Sequence, residues 1–259
     1  RDMFGNDMPF KGGNVTAGEN PQYFIFNLSP KSVYSKIKGK FIKGGIEDIF
    51  VAKNDKIKIP EYTVYFMKDI SLADDWNVQP VRVSSEKRFE NDIPNEAEVK
   101  FVTDGKNIFV SYKVTGEKIL PLNTKDYNMT WNGAGMEIFI TLDENVRSNN
   151  KRKCDFQLCL NPGNGGEIVD IWSETDGRIP GSEVVYKPIE NGYEMKAKIP
   201  VSYLNRYSEQ DKELKFGDRL RLDWVVNIAD EKGDRQAMLS THSGSFSTDP
   251  SVWGKTVIK

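Results

Sequence analysis

From about residue 97 onward, apolar and polar residues alternate in short runs separated by Gly, Asn, Asp and Pro, a pattern that predicts strands and tight turns. In WNGAGMEIFITL, residues 131 to 142, Met136, Ile138, Ile140 and Leu142 alternate with Glu137, Phe139 and Thr141. The spacing predicts a half-buried strand with Glu137 pointing away from the core. Val99 and Phe101 make an inward pair, and Ile108, Val110, Tyr112 and Val114 make the next inward face. Asp104-Gly105 between them predicts a hairpin. Further strands are expected at 154 to 160, 167 to 172, 183 to 189, 193 to 199, 219 to 228, 236 to 241 and 255 to 258. The clearest is LRLDWVVNI, in which Leu220, Leu222, Trp224, Val226 and Ile228 face in. Only VSYLNRY after Pro200 reads as a helix, of about two turns near 200 to 207, because Pro suits the first helical position.

These elements predict an all-β fold: an antiparallel sandwich of two sheets, jelly-roll or immunoglobulin-like, with one short helix. The 259 residues suffice for a sizeable core, and sandwiches of this size form single domains. The first 60 residues read differently. Gly and Asn crowd residues 5 to 20, and YFIFNL and KIKGKFIKGGIEDIFVAK suggest strands with exposed alternate positions. The expected organisation is an N-terminal extension over 1 to 60, an arm with extra strands, followed by the sandwich over 61 to 259. A small separate β unit hinged at 53 to 60 is the alternative.

Charge is nearly balanced, 36 Lys and Arg against 38 Asp and Glu, which gives no reason to expect nucleic acid or an anionic membrane as partner. No apolar run reaches the length of a membrane-spanning helix. No basic-then-apolar leader follows Arg1, so any secretion signal is expected to have been removed or left out of this sequence. The two cysteines, Cys154 and Cys159, fall on opposite faces of a strand, about 16 Å apart at the usual rise per residue, too far for a disulfide.

The chain holds one histidine, His242, so a histidine relay could use only this residue, and multi-histidine metal sites are excluded. No phosphate-binding Gly-x-x-x-x-Gly-Lys-Ser/Thr motif occurs, and the glycines of NPGNGGE lie between two strands, where they read as a hairpin turn. Glycoside hydrolysis needs two carboxyl groups at a set separation, and spacing singles out no such pair among 38 acids. The oxygen-rich segments LDEN (142 to 145) and IADEKGDR (228 to 235) offer calcium ligands but serve more simply as polar turns.

The tryptophans sort by phase. Trp224 belongs to the core, while Trp76 and Trp253 lie near turns and pack over the sandwich ends. Trp131 and Trp172 remain as stacking platforms. An indole at a strand mouth with a carboxylate six residues on suits a sugar, whose C–H faces stack on aromatics and whose hydroxyls donate to carboxylates.

The ordered segments EVKFVTDGKNIFVSYKVTG, WNGAGMEIFITLDEN, DFQLCLNPGNGG, GYEMKAKIPVSYL, LRLDWVVNIADEKGDR and FSTDPSVWGKTVIK resemble the family 9 carbohydrate-binding module and its wider superfamily, over roughly residues 70 to 259. The resemblance implies a β-sandwich that holds sugar between aromatic rings, joined to xylan- or cellulose-degrading enzymes, with structural calcium in many members. Carried over, Trp131 resembles a stacking tryptophan, Glu137 the hydroxyl-binding carboxylate, and Asn227 and Asp230 the amide and aspartate pair after them. Phe246 is the aromatic nearest the place of the second stacking tryptophan, Gln157 stands where the family carries an arginine, and Ala134 and Gly135 stand where an acidic residue is common.

The expected function is non-catalytic binding of plant polysaccharide, xylan or cellulose fragments, by a secreted, periplasmic or cell-surface protein that is a module of, or partner to, a glycoside hydrolase. Trp131, Glu137, Gln157, Trp172, Asn227, Asp230 and Phe246 would hold the sugar. No cofactor is required beyond the calcium that the resemblance allows. Three other readings stand beside it: a haem-binding electron carrier using Met136 and His242, a sandwich that has lost its sugar site, and a xylanase-like hydrolase.

Overall fold

The computed structural model describes residues 59–84, 95–116, 126–146, 151–207, 212–241 and 247–259. Residues 59–259 form one compact unit, and the N-terminal extension expected over residues 1 to 60 lies outside the described residues but for its last two. The fold is nearly all β. Twelve strands run in chain order as β1 (Glu61–Phe66), β2 (Val81–Ser84), β3 (Glu96–Thr103), β4 (Asn107–Thr115), β5 (Gly135–Thr141), β6 (Phe156–Asn161), β7 (Glu167–Asp170), β8 (Glu183–Ile189), β9 (Gly192–Pro200), β10 (Arg219–Ala229), β11 (Arg235–Leu239) and β12 (Lys255–Ile258). One short helix, α1 (Val201–Leu204), follows Pro200 where the sequence predicts it. Among the described residues no helix is long and apolar enough to cross a membrane.

The strands pair in the order β7-β6-β5-β10-β12-β1-β3-β4-β9-β8, with β11 on β10 and β2 on β3. β1 joins the two halves. Its first four residues pair with β12 and its last two with β3, both in parallel, whereas the other pairings between strands are antiparallel. The inner faces of both halves meet in one core. Val99, Ile108, Val110, Tyr112, Val114 and Met195 from one half and Met136, Ile138, Ile140, Leu158, Leu222 and Trp224 from the other are almost wholly buried in a single cluster. Tyr112 spans the halves, its hydroxyl donating to the Leu160 carbonyl at 3.1 Å. The inward sets expected for β3, β4 and β10 are the ones found.

Turn chemistry sets the hairpins. Between β3 and β4, Asp104 Oδ1 accepts from the amides of Lys106 and Asn107 at 2.8 and 2.6 Å, and Gly105 takes φ +94°. NPGNGG makes a turn between the antiparallel β6 and β7, as its glycines predict. β8, which ends the strand order, tolerates Pro188 because an edge strand need not donate along its free side.

The structure differs from the expected half-buried character of β5. All seven of its residues are buried. Met136, Ile138 and Ile140 enter the main core, while Phe139 packs on the opposite face with Val225, Val252 and Trp253 in a second cluster. Trp253 therefore covers the outer face of the β5-β10 pair, 5.8 Å from Phe139 between ring centroids, rather than an end of the fold. Trp76 sits in a third cluster with Leu72, Val102 and Phe109. Cys154 is half-buried and Cys159 buried, both as free thiols.

Candidate functional site

Covering the outer face of β5 creates the site. Glu137 does point away from the main core, yet it is only 3% exposed. Its cross-strand partners are Cys159 on β6 and Val225 on β10. The diagonal positions bring Gln157 from β6 and Asn227 from β10, since residues two apart on a strand share a face. Gln157 Nε2 donates to Glu137 Oε2 at 2.5 Å, and Asn227 Nδ2 donates to Glu137 Oε1 at 2.8 Å. A third donor is Arg235 on β11, whose Nη1 lies 3.1 Å from Oε1. Three donors, one of them cationic, offset the cost of taking this carboxylate out of water.

The two candidate tryptophans stand at the ends of this strip. Trp131 belongs to a 3-10 turn, Tyr127–Asn132, and its carbonyl accepts from Asn227 Nδ2 at 3.0 Å. The ring is half-buried against the cluster of Cys159, Val169 and Ile171, with the Arg235 guanidinium 4.5 Å from its centroid. Trp172 follows β7 and is 58% exposed. Its indole N–H donates to Gln157 Oε1 at 2.7 Å, and its amide donates to the buried Asp170 carboxylate at 3.0 Å. Tyr127 ties the two loops together by donating to the Ser173 carbonyl at 2.9 Å. A continuous chain of contacts thus runs Trp131, Arg235, Glu137, Gln157, Trp172. Trp76, Trp224 and Trp253 are buried, so the indole rings that reach solvent are the two at this strip.

The other expected site residues fare differently. Asp230 shapes the β10-β11 turn: its Oδ1 accepts from the amides of Lys232 and Asp234 at 2.8 and 3.0 Å. It supports the site only indirectly, through Asp234, which accepts from Asn132 beside Trp131 at 3.1 Å. Phe246 and His242 lie outside the described residues. Met136 is fully buried in the main core, the setting of a packing methionine. Arg235 is the residue that sequence reading missed. The DEKGD turn returns the chain antiparallel to β10, which sets Arg235 opposite Ala229, two positions from Asn227.

One buried acceptor stands out: Asn227 Oδ1 has no hydrogen-bond partner among the described residues. Burial pushes the Cys159 thiol well above its usual range, helped by the negative charge of Glu137 across the strand. Among the described residues no three His, Cys, Asp or Glu side chains gather to hold a metal ion. Of the acids of LDEN and IADEKGDR, Asp143 is held by Arg152 at 2.7 Å, Asp230 in its turn, and Asp234 by Asn132 at 3.1 Å.

Residues 72–259 match the family model described as carbohydrate family 9 binding domain-like. The chain belongs to this family. Two solved structures share the fold: a family 9 carbohydrate-binding module from Caldicellulosiruptor kristjanssonii in complex with glucose, and one from the same organism in complex with cellotriose. Each is 18% identical with a TM-score of 0.56 over 77% of this chain, covering 95% and 93% of the two modules. No curated protein matches the chain in sequence.

Proposed function

We propose that this family 9 domain binds plant polysaccharide, xylan or cellulose fragments, without catalysis, at the outer-face strip between Trp131 and Trp172. The observation that carries the reading is the convergence of Glu137, Gln157 and Asn227 between the two tryptophans that reach solvent. Aromatic faces beside a few convergent polar groups are what a pyranose needs. The unpartnered Asn227 Oδ1 adds to this, because a buried acceptor left unsatisfied costs about 1–3 kcal/mol and a sugar hydroxyl would satisfy it. Arg235 covers Trp131, so the guanidinium swings aside as the sugar stacks. The glucose and cellotriose held by the two Caldicellulosiruptor modules support a glucan or related xylan as ligand. We read the two packed sheet halves as a sandwich of jelly-roll type, preceded by an extension over residues 1 to 60. The chain acts outside the cytoplasm, as a module of or partner to a glycoside hydrolase.

The test is a titration of xylo- and cello-oligosaccharides into the purified protein by calorimetry, repeated with Trp131→Ala. Saturable binding weakened by at least about 1 kcal/mol in the variant is expected, the worth of a stacked ring beyond its area. Equal affinity in the two proteins would remove Trp131 from the site. No release of reducing sugar is expected from xylan, and its release would make the protein a hydrolase.

A further inference from the structure

Trp172 also lines a cavity of about 420 Å³, with Phe156 and Tyr207 among its other walls and neither Glu137 nor Gln157 in its lining. Tyr207 is 41% exposed, so two accessible rings line one recess. The charged groups of this cavity are paired with one exception. Asp155 is held by Arg152 at 2.8 Å, Asp170 by Arg206 at 2.7 Å, and Glu174 by Lys153 at 3.1 Å. That matching leaves Lys151. Its Nζ lies 4.4 Å from the centroid of the Trp172 ring and has no hydrogen-bond partner among the described residues.

We infer that this cavity is a second glycan subsite that takes a sugar bearing a carboxylate, stacked on Trp172 and paired with the Lys151 amine. The inference rests on the glycan-binding reading of the strip, and Trp172 is the residue common to the two sites. The other cations of the cavity already face acids, so an incoming carboxylate finds its free donor at Lys151, which turns from the Trp172 ring to meet it. A sugar is favoured over a bare anion because the accessible rings of Trp172 and Tyr207 offer stacking faces, and the exposed hydroxyls of Ser247 and Thr248 on the same cavity can bond to sugar hydroxyls. Burial pushes Lys151 down to about 7, against the opposing pull of Asp170, Asp155 and Cys159. An anionic ligand restores the charged form, so binding above that pH takes up a proton.

Calorimetry with xylotetraose and with the same tetraose carrying one glucuronic acid branch tests this. The acidic ligand should bind wild-type protein about tenfold more tightly, and Lys151→Met should bring it to the affinity of the neutral one. At pH 8 the binding heat of the acidic ligand should differ between buffers of different ionisation enthalpy, a readout that needs no variant. Equal affinities in wild type, a preference that survives Lys151→Met, or no proton uptake would overturn the second subsite. Trp131→Ala separates the two readings. Neutral binding that depends on Trp131 without acidic preference keeps the strip and discards the cavity. Acidic preference that needs Lys151 and ignores Trp131 does the reverse, and no binding of either ligand discards both.

Discussion

Glu137 shows how far one residue could be read ahead of the structure. Its alternation with Met136 and Ile138 placed it on the face away from the core, and there it lies. Its burial was not legible, because the side chains that close on it come from remote positions: Asn227 is 90 residues away in the chain and Arg235 98. Local periodicity reports which face a side chain takes and is silent on what later packs over that face. The guanidinium occupies the ring that a sugar would use, so Arg235→Ala should tighten oligosaccharide binding severalfold in calorimetry. The same change should lower the melting temperature, since Glu137 stays buried with one donor fewer. Weaker binding would instead make Arg235 a direct sugar contact. Lys151 gives a pH signature. Its folded pKa, about 7, lies below its ordinary value of 10.5, so between these values the unfolded chain binds more protons. Wild-type stability measured by urea unfolding should therefore rise from pH 7 to about pH 10 relative to Lys151→Met, and parallel profiles would contradict the burial of that amine.

Among the elements, those joined by tight turns were the readable ones. The β3-β4, β6-β7 and β10-β11 hairpins carry their signals in Asp104-Gly105, NPGNGG and DEKGD, and their strands lie within a few residues of expectation. β1 and β2 were not singled out. β1 pairs in parallel with β12 and β3, across long stretches of chain that leave no turn signature, so its role as the joint between halves emerges only in three dimensions. β5 depends on Gly135 at its start, where φ is +153° and a Cβ would run into the Leu160 carbonyl. Gly135→Ala should cost roughly 1–3 kcal/mol of folding free energy in urea unfolding, the usual cost of a side chain in strained backbone. A loss of binding beyond the loss of folded protein is also expected, because Gly135 leads the strand that carries Glu137. An unchanged unfolding midpoint would show that the β5-β6 pair can shift to admit the methyl group.

At the scale of the molecule, two sheet halves sharing one core leave the outer face of the β6-β5-β10-β11 segment free to be built over by loops. The site arises there, from the loop before β5, the loop after β7 and the strand after the DEKGD turn. Family membership was legible because segment order survives where individual contacts change: Gln157 now bridges Glu137 to Trp172, and Arg235 reaches Glu137 from β11. The chain has five tryptophans and so five indole N–H resonances, each an independent reporter. The most direct test of the site follows these resonances in a nitrogen-proton correlation spectrum while xylo- or cello-oligosaccharide is added. Saturable shifts confined to Trp131 and Trp172, with buried Trp76, Trp224 and Trp253 unmoved, are the expected result. A saturating ligand that leaves Trp131 and Trp172 unmoved would contradict the site.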